Sequence, residues 1–174
     1  MTQIATWIQD RLAPEHDLSE RQLVELATAI GLEEGLWNEF ERHDAAERFY
    51  HQLYRDPNVD IWLICWLPTQ GTGYHDHDRS NGAVYVCRGQ LYEDYFCRDA
   101  DGWIREKTNL HEVGGHFFFE AADIHGVRHA GESPATSIHV YSPALWRMGH
   151  YEPDARGALR RISVTYADEL LGVA

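Results

Sequence analysis

The sequence predicts an all-β protein, built as a small β-barrel or jelly roll with a short helical region at its N-terminus. Two patterns predict this class. Apolar residues recur at helical spacing over roughly the first fifty residues, and short runs rich in Val, Ile, Tyr, Phe and Trp follow from Arg48 onward. A chain of 174 residues with 44% hydrophobic residues suits one compact domain with a sizeable core. We therefore expect a single domain over residues 1–174, with residues 1–47 as a helical cap and residues 48–174 as the barrel.

Two helices are predicted in the cap, followed by a third short one. Their apolar residues recur at three- and four-residue spacing: Ile4, Trp7, Ile8 and Leu12 in the first, and Leu23, Leu26, Ile30 and Leu32 in the second. Ser19 followed by Gln22 has the pattern of a capping box, and Gly31 is typical of a helix end. Residues 35–42 (GLWNEFER) are predicted as the third helix.

Eight strands are predicted in the barrel, since runs of β-branched and aromatic residues are separated there by Gly, Pro and Asp. They are residues 60–67, 82–88, 90–97, 104–110, 116–120, 124–129, 136–141 and, more weakly, 162–166. The pair Asp101-Gly102 is typical of a hairpin turn between the third and fourth of these strands.

The charge balance excludes several classes of partner. Asp and Glu total 28 against 15 Lys and Arg, which gives a formal charge of -13. Nucleic acid and anionic membranes are therefore not expected as partners. The sequence has no apolar run of roughly 18 residues, its N-terminus is not that of a signal sequence, and its three cysteines have no CxxC spacing. A reduced, cytoplasmic protein is expected.

The chain has eleven histidines, and two of them form an HxH motif. On an extended segment His75 and His77 project from the same face and can share one ion, whereas Asp76 points away. His125 lies on another predicted strand and is the third candidate ligand, with His129 and His139 in reserve. Three imidazoles suit Fe(II), Zn(II), Cu or Ni. The alternative is a surface pair that binds no ion.

The surroundings of these histidines resemble the two metal-binding motifs of the cupin superfamily. The HxH motif follows a Gly-rich turn. Gly89 lies twelve residues after His77 and Gly114 lies eleven residues before His125, a spacing similar to that of the cupin motifs. A usual cupin has a Glu ligand about five residues after the HxH, but this chain has Asn81 and Gly82 there. The departure favours a site of three histidines.

Four segments together resemble the cysteine dioxygenases and related small-thiol dioxygenases. They are ICW at 64–66, HDH at 75–77, IHGVRH at 124–129 and SIHVYSP at 137–143. The resemblance implies Fe(II) held by His75, His77 and His125, and oxidation of a small thiol by O2 to its sulfinic acid.

The last segment is the most specific part of this resemblance. In that family a Ser, His, Tyr series forms a hydrogen-bonded relay beside the iron, which implies catalytic roles for Ser137, His139 and Tyr141. Alternation along a strand puts the three on one face. The alternative is a sheet-core network with no chemistry. Mammalian members link this tyrosine to a cysteine, and Gly82 at that position excludes the link here.

Substrate recognition departs from the family pattern. Cysteine dioxygenases hold the substrate carboxylate with an Arg, whereas the equivalent position here falls on Tyr50 or His51. Three alternatives are open: Tyr50 or His51 binds the carboxylate, another arginine binds it, or the substrate is not cysteine. The other arginines are Arg48, Arg79, Arg128 and Arg147. Trp66 and Met148 are expected to line the pocket.

Three functions remain open at this point. The leading one is an iron-dependent dioxygenase of cysteine or a close relative such as 3-mercaptopropionate. The second is a cupin metalloenzyme of other chemistry, such as an isomerase or a carbon-oxidising dioxygenase, because fold alone does not determine function. The third is a cupin that binds a small ligand without catalysis.

Overall fold

Two α-helices and two short 3-10 turns precede the strands. The computed structural model describes residues 3–11, 16–98, 100, 104–155 and 158–170. The helices are α1 (Gln3–Gln9), α2 (Glu20–Leu32) and, after the strands, α3 (Ala167–Leu170). Leu12 of the first predicted helix lies outside the described residues. At α2 the backbone N–H of Ser19 donates to the Gln22 side chain at 3.0 Å, as the capping pattern predicts.

The predicted third helix is wrong. Two 3-10 turns, Glu34–Leu36 and Asn38–Phe40, replace it. Trp37 between them is fully buried, and its indole N–H donates to Gly31 O at 3.3 Å. This anchor folds the segment back against the end of α2, and a continuous helix would carry the indole away from that partner.

Eleven strands follow in the described part of the chain, three more than the sequence predicts. They are β1 (Phe49–Arg55), β2 (Asp60–Trp66), β3 (Tyr74–Asp76), β4 (Asn81–Arg88), β5 (Gln90–Arg98), β6 (Ile104–Glu112), β7 (His116–Phe119), β8 (His125–Ala130), β9 (Ala135–Ser142), β10 (Arg147–Pro153) and β11 (Leu159–Tyr166). The predicted hairpin turn at Asp101-Gly102 lies outside the described residues.

The strands form two antiparallel sheets. One sheet has five strands in the order β1-β2-β9-β4-β7, and the other has six in the order β11-β10-β3-β8-β5-β6. Within the described part of the chain these are two separate sheets rather than one closed barrel. This is the jelly-roll form of the predicted all-β class.

The central strands of the five-stranded sheet are buried on both faces, which explains the continuous apolar runs of β2 and β9. Leu63 and Ile138 pack with the helices in one core cluster. Trp66 and Tyr141, on the opposite face of the same strands, belong to a second cluster that includes residues of the other sheet. The two faces of β9 therefore contact different layers, and its odd-numbered residues face the space between the sheets.

The turn between β4 and β5 needs a glycine. Gly89 has a φ of 69°, and a Cβ there would lie 2.6 Å from Pro134 O. Only glycine fits both the left-handed backbone and this close approach.

Among the described residues, no helix has the length and apolar character that crossing a bilayer requires.

Candidate active site

Three histidines meet between the two sheets. β3 carries His75, and His77 follows its last residue. His125 opens β8 directly opposite His75 in the strand register. One ring nitrogen from each of the three lies within 4.8 Å of the others, and all three side chains are buried. The pairing of β3 with β8 thus brings together residues that are fifty positions apart in the sequence.

The hydrogen bonds of the rings leave nitrogen atoms available for a metal ion. His75 Nδ1 lies 3.1 Å from Gly73 O, and His125 Nδ1 lies 3.1 Å from Glu93 Oε1. Both Nδ1 atoms therefore carry the proton and leave Nε2 free. His125 Nε2 and both ring nitrogens of His77 are buried without a hydrogen-bond partner.

Such orphaned polar atoms are costly in a protein interior unless a partner binds them. Burial, reinforced by the neighbouring imidazoles, holds the pKa values of His75 and His77 well below the ordinary value. Neutral rings with free nitrogen lone pairs are the form that binds a divalent cation. The residues present therefore fit a metal ion with three nitrogen ligands.

Asp76 points away from this cluster, as strand alternation predicts, and anchors its segment from outside. Its carboxylate accepts hydrogen bonds from Tyr151 Oη and from Arg161 Nη2 at 2.6 Å, and from the Gly149 backbone N–H at 3.2 Å. β10 and β11 thereby hold the short strand β3 in place.

A hydrogen-bonded chain runs along β9 beside the histidines. Trp66 Nε1 donates to Ser137 Oγ at 2.9 Å, and Ser137 Oγ lies 2.8 Å from His139 Nε2. His139 Nδ1 is 3.5 Å from the Tyr141 hydroxyl, a long contact. An indole N–H can only donate, so Ser137 Oγ accepts from Trp66 and its own hydroxyl proton is available to His139 Nε2, the arrangement that we assign. His139 then carries its own proton on Nδ1, facing Tyr141.

The two titratable groups of this chain are neutral. Burial, together with the nearby charge of Arg48, lowers the pKa of His139 to about 3. Burial also raises the pKa of the Tyr141 phenol above its ordinary value. The chain therefore ends in a neutral phenol that accepts a hydrogen bond from His139 and can donate its own proton into the pocket.

One pocket gives access to the histidines and to this relay. It measures about 540 Å³ including its open mouth. Its lining includes the three histidines, His139 and Tyr141, together with four apolar side chains: Trp62, Ile64, Leu145 and Met148. Tyr50 and Arg48 line it as well.

Arg48 brings a positive charge to this pocket. Its guanidinium lies over the Trp66 ring, 5.1 Å from the ring centroid, and Nη1 donates to Gly71 O. Its Nε is buried without a partner, so the group has unused donor capacity. Burial lowers the pKa of Arg48, but a guanidinium starts so high that it stays charged.

The structure does not bring every expected residue to the pocket. His51 lies on the opposite face of β1 from Tyr50 and stacks on Phe40, with ring centroids 4.5 Å apart. The cause is strand alternation, which turns neighbouring residues to opposite faces. Trp66 lies behind the pocket, where it supports Ser137 and Arg48.

The remaining arginines and reserve histidines have other contacts. Arg128 pairs with Asp94, Arg147 pairs with Asp78, and Arg79 lies over Trp146. His129 Nε2 lies 2.8 Å from Ser133 O in the turn between β8 and β9.

Sequence reasoning missed Glu93, the partner of His125. Leu91 and Glu93 are the two buried residues of β5, and they alternate along it. An acidic residue at an inward position of a strand is the signal that could have identified it.

Comparison with known proteins establishes the family. The family model described as cysteine dioxygenase type I matches residues 5–154. The chain belongs to the cysteine dioxygenase type I family. It is 27% identical to cysteine dioxygenase type 1 of Danio rerio over 115 residues, which cover 62% of this chain and 57% of that protein. It is also 27% identical to cysteine dioxygenase type 1 of Homo sapiens over 94 residues, which cover 48% of this chain and 44% of that protein. The chain spans about half the length of the curated relatives it matches.

Solved structures show the same fold at low identity. A protein of Thermus thermophilus has a TM-score of 0.53 at 21% identity, covering 62% of this chain and 93% of its own. A cupin superfamily protein of Desulfitobacterium hafniense has a TM-score of 0.50 at 9% identity, and the match covers 62% of this chain and 87% of that protein. The predicted cupin fold and the predicted cysteine dioxygenase resemblance are both confirmed.

Proposed function

We propose that this member of the cysteine dioxygenase family is an iron-dependent dioxygenase that converts a small thiol and O2 to the sulfinic acid. Cysteine or a close relative such as 3-mercaptopropionate is the proposed substrate. The observation that carries the proposal is the convergence of three buried histidines with His139 and Tyr141 of the hydrogen-bonded chain in one pocket. In the reaction both atoms of O2 are transferred to the thiol sulfur, so no external reductant is required.

The metal would be held by His75, His77 and His125. Bound Fe(II) would supply a Lewis acid that favours the thiolate at neutral pH and that binds both sulfur and O2. Gly73 and Glu93 hold the rings of His75 and His125 in orientation, with the proton on Nδ1 and Nε2 free for the metal.

Tyr141 is proposed to act as a hydrogen-bond donor to the reacting atoms. Its phenol is neutral, and the bond from His139 satisfies its oxygen while leaving the O–H free. Ser137 and Trp66 act through His139, because they fix which ring nitrogen carries the proton. Tyr141 is thus the proposed catalytic residue, and His139 and Ser137 are positioning residues that act through it.

The substrate carboxylate is proposed to bind Arg48 and Tyr50 in place of the family's usual arginine. Both line the pocket with the histidines, and a guanidinium is suited to paired hydrogen bonds with a carboxylate. Ile64 and Met148 exclude water around the carbon chain of the substrate. A cytoplasmic location is also proposed, in keeping with the three free cysteines.

The test is oxygen consumption by protein loaded anaerobically with Fe(II) and supplied with a panel of small thiols. We expect uptake that depends on cysteine or 3-mercaptopropionate, with one O2 consumed for each sulfinate identified by mass spectrometry. Oxygen-independent turnover would instead support another cupin chemistry, and binding without turnover would support a non-catalytic protein.

The same panel tests the role of Arg48. We expect Arg48→Met to raise the KM for carboxylate-bearing thiols by about 10- to 100-fold, since a hydrogen bond to a charged group contributes roughly 1.5–3 kcal/mol. Cysteamine, which has no carboxylate, should lose no more than a small factor. Arg147→Met is the matched control, because Arg147 pairs with Asp78. Equal losses for both kinds of thiol would contradict the assignment.

A further inference from the structure

A buried carboxylate bridges two histidines behind the metal-ligand cluster. Glu93 Oε1 lies 3.1 Å from His125 Nδ1, and Glu93 Oε2 lies 3.3 Å from His111 Nε2. The Glu93 side chain is 8% exposed, so water contributes little to its solvation. Each carboxylate oxygen therefore depends on one imidazole for its hydrogen bond.

The strand register puts Glu93 in this position. Within the six-stranded sheet β5 lies between β8 and β6, with Tyr95 opposite His125 and Leu91 opposite His111. Glu93 lies between these two pairs on β5 and so reaches both histidines diagonally. The His111 ring packs on Phe117, with centroids 4.5 Å apart, which fixes the outer end of the chain.

The charge of Glu93 acts on the cluster through one ring. The ligand set of three imidazoles is neutral, and the position where a usual cupin has its carboxylate ligand is occupied by Asn81 and Gly82. Glu93 is separated from the free Nε2 of His125 only by the imidazole that it bonds. A carboxylate in this arrangement orients the ring and makes it a stronger donor to a metal ion.

We propose that Glu93 is a positioning residue of the metal centre, which fixes the tautomer of His125 and supplies from the outer side the negative charge that the three imidazoles do not carry. The inference rests on the metal centre of the proposed function, but it does not depend on which thiol is oxidised. Its tests therefore measure metal binding and redox behaviour rather than turnover.

The decisive variant is Glu93→Gln, which keeps the shape and one acceptor oxygen but removes the charge. We expect the Kd for Fe(II), measured anaerobically by calorimetry on metal-free protein, to rise by about 10- to 100-fold. The midpoint potential of the bound iron should shift to more positive values, because loss of a nearby negative charge destabilises Fe(III) more than Fe(II). A purely structural role for Glu93 would not shift the potential of iron that remains bound.

Asp94→Asn is the matched control, because it makes the same charge change at the next residue. Asp94 points to the other face of β5, where it bonds Arg128 at 2.7 Å and Thr108. We expect its Kd and potential to equal those of the wild type. A wild-type Kd in Glu93→Gln would overturn the proposal, as would an equal loss in Asp94→Asn.

A second variant keeps the proposal testable if Glu93→Gln does not fold. His111→Leu leaves the bond between Glu93 and His125 intact but removes the outer partner, so the Kd should rise less than in Glu93→Gln, by several-fold. An unchanged Kd in a folded His111→Leu protein would then refute the bridging role. Wild-type protein that binds iron but oxidises no thiol would refute the proposed function and leave this inference standing.

Discussion

Tyr141 carries its phenol at the junction of the hydrogen-bonded chain and the pocket. It is 5% exposed and packs beside His77, with ring centroids 5.2 Å apart. Its hydroxyl contacts His139 rather than any of the three metal-binding candidates. The phenol proton and the metal ligands can therefore be separated by mutation.

We expect Tyr141→Phe to slow turnover by about 100-fold, the lower end of what a positioned proton donor contributes. Iron content should equal that of the wild type, because Phe keeps the ring that packs on His77. Initial rates and metal analysis of the same preparations check both parts. Loss of iron from this variant would count against the role given to Tyr141.

At the scale of the element, the site depends on how β4, β7 and β9 pack together. Gly82 on β4 lies directly opposite Phe119 on one side and Tyr141 on the other. A Cβ at Gly82 would clash with Phe119 Cζ. Phe119 in turn stacks on His77, with centroids 4.4 Å apart. The absence of a side chain at Gly82 thus sets the position of the ring that supports His77.

We expect Gly82→Ala to lower the free energy of unfolding by about 1–3 kcal/mol, the usual cost of overpacking, and to weaken metal binding because Phe119 is pushed towards His77. Adding Phe119→Leu should recover part of both losses, which a double-mutant cycle in denaturant measures. Gly35→Ala is the control, because a Cβ there meets only Glu33 Oε1 at 3.8 Å. Additive losses in the double variant would contradict this coupling.

The strands that could be predicted are those whose own residues specify them. β2, β4 and β9 are apolar runs covered on both faces, and their observed bounds differ from the predicted ones by one residue at most. The missed strands β1, β3 and β10 have mixed composition, and β3 has three residues. They are extended because neighbouring strands pair with them, which is information that no local window contains.

The residues of the candidate site divide in the same way, into those that local sequence patterns predict and those that depend on strand pairing. The HxH motif and the series on β9 are local patterns, so their shared faces follow from the period of a strand. The meeting of His75 with His125, the approach of Arg48 to the pocket and the contact of Glu93 with His125 depend on which strands are neighbours. Strand order is set by packing across the whole chain, so these contacts required the structure.

At the scale of the whole molecule, two electrostatic effects oppose each other on mild acidification. The chain has a formal charge of -13, so proton uptake at the surface relieves repulsion in the folded protein. His139 has the opposite effect, because it lowers the stability of the folded protein as the pH falls. Burial holds its folded pKa at about 3, below the ordinary 6.5. The unfolded chain therefore binds a proton that the folded protein excludes, and stability is lost as the pH falls below 6.5.

The contribution of His139 can be isolated by difference. Linkage predicts that a single histidine with these two pKa values costs about 1 kcal/mol of unfolding free energy between pH 7 and pH 5.5. We therefore expect metal-free wild-type protein to lose about this much relative to His139→Gln over the same interval, since Gln keeps hydrogen-bonding capacity but does not titrate. Surface groups change equally in both proteins and cancel. Parallel pH profiles from urea unfolding would mean that the folded protein also protonates His139 over this interval, which would contradict the neutral imidazole assigned to the relay.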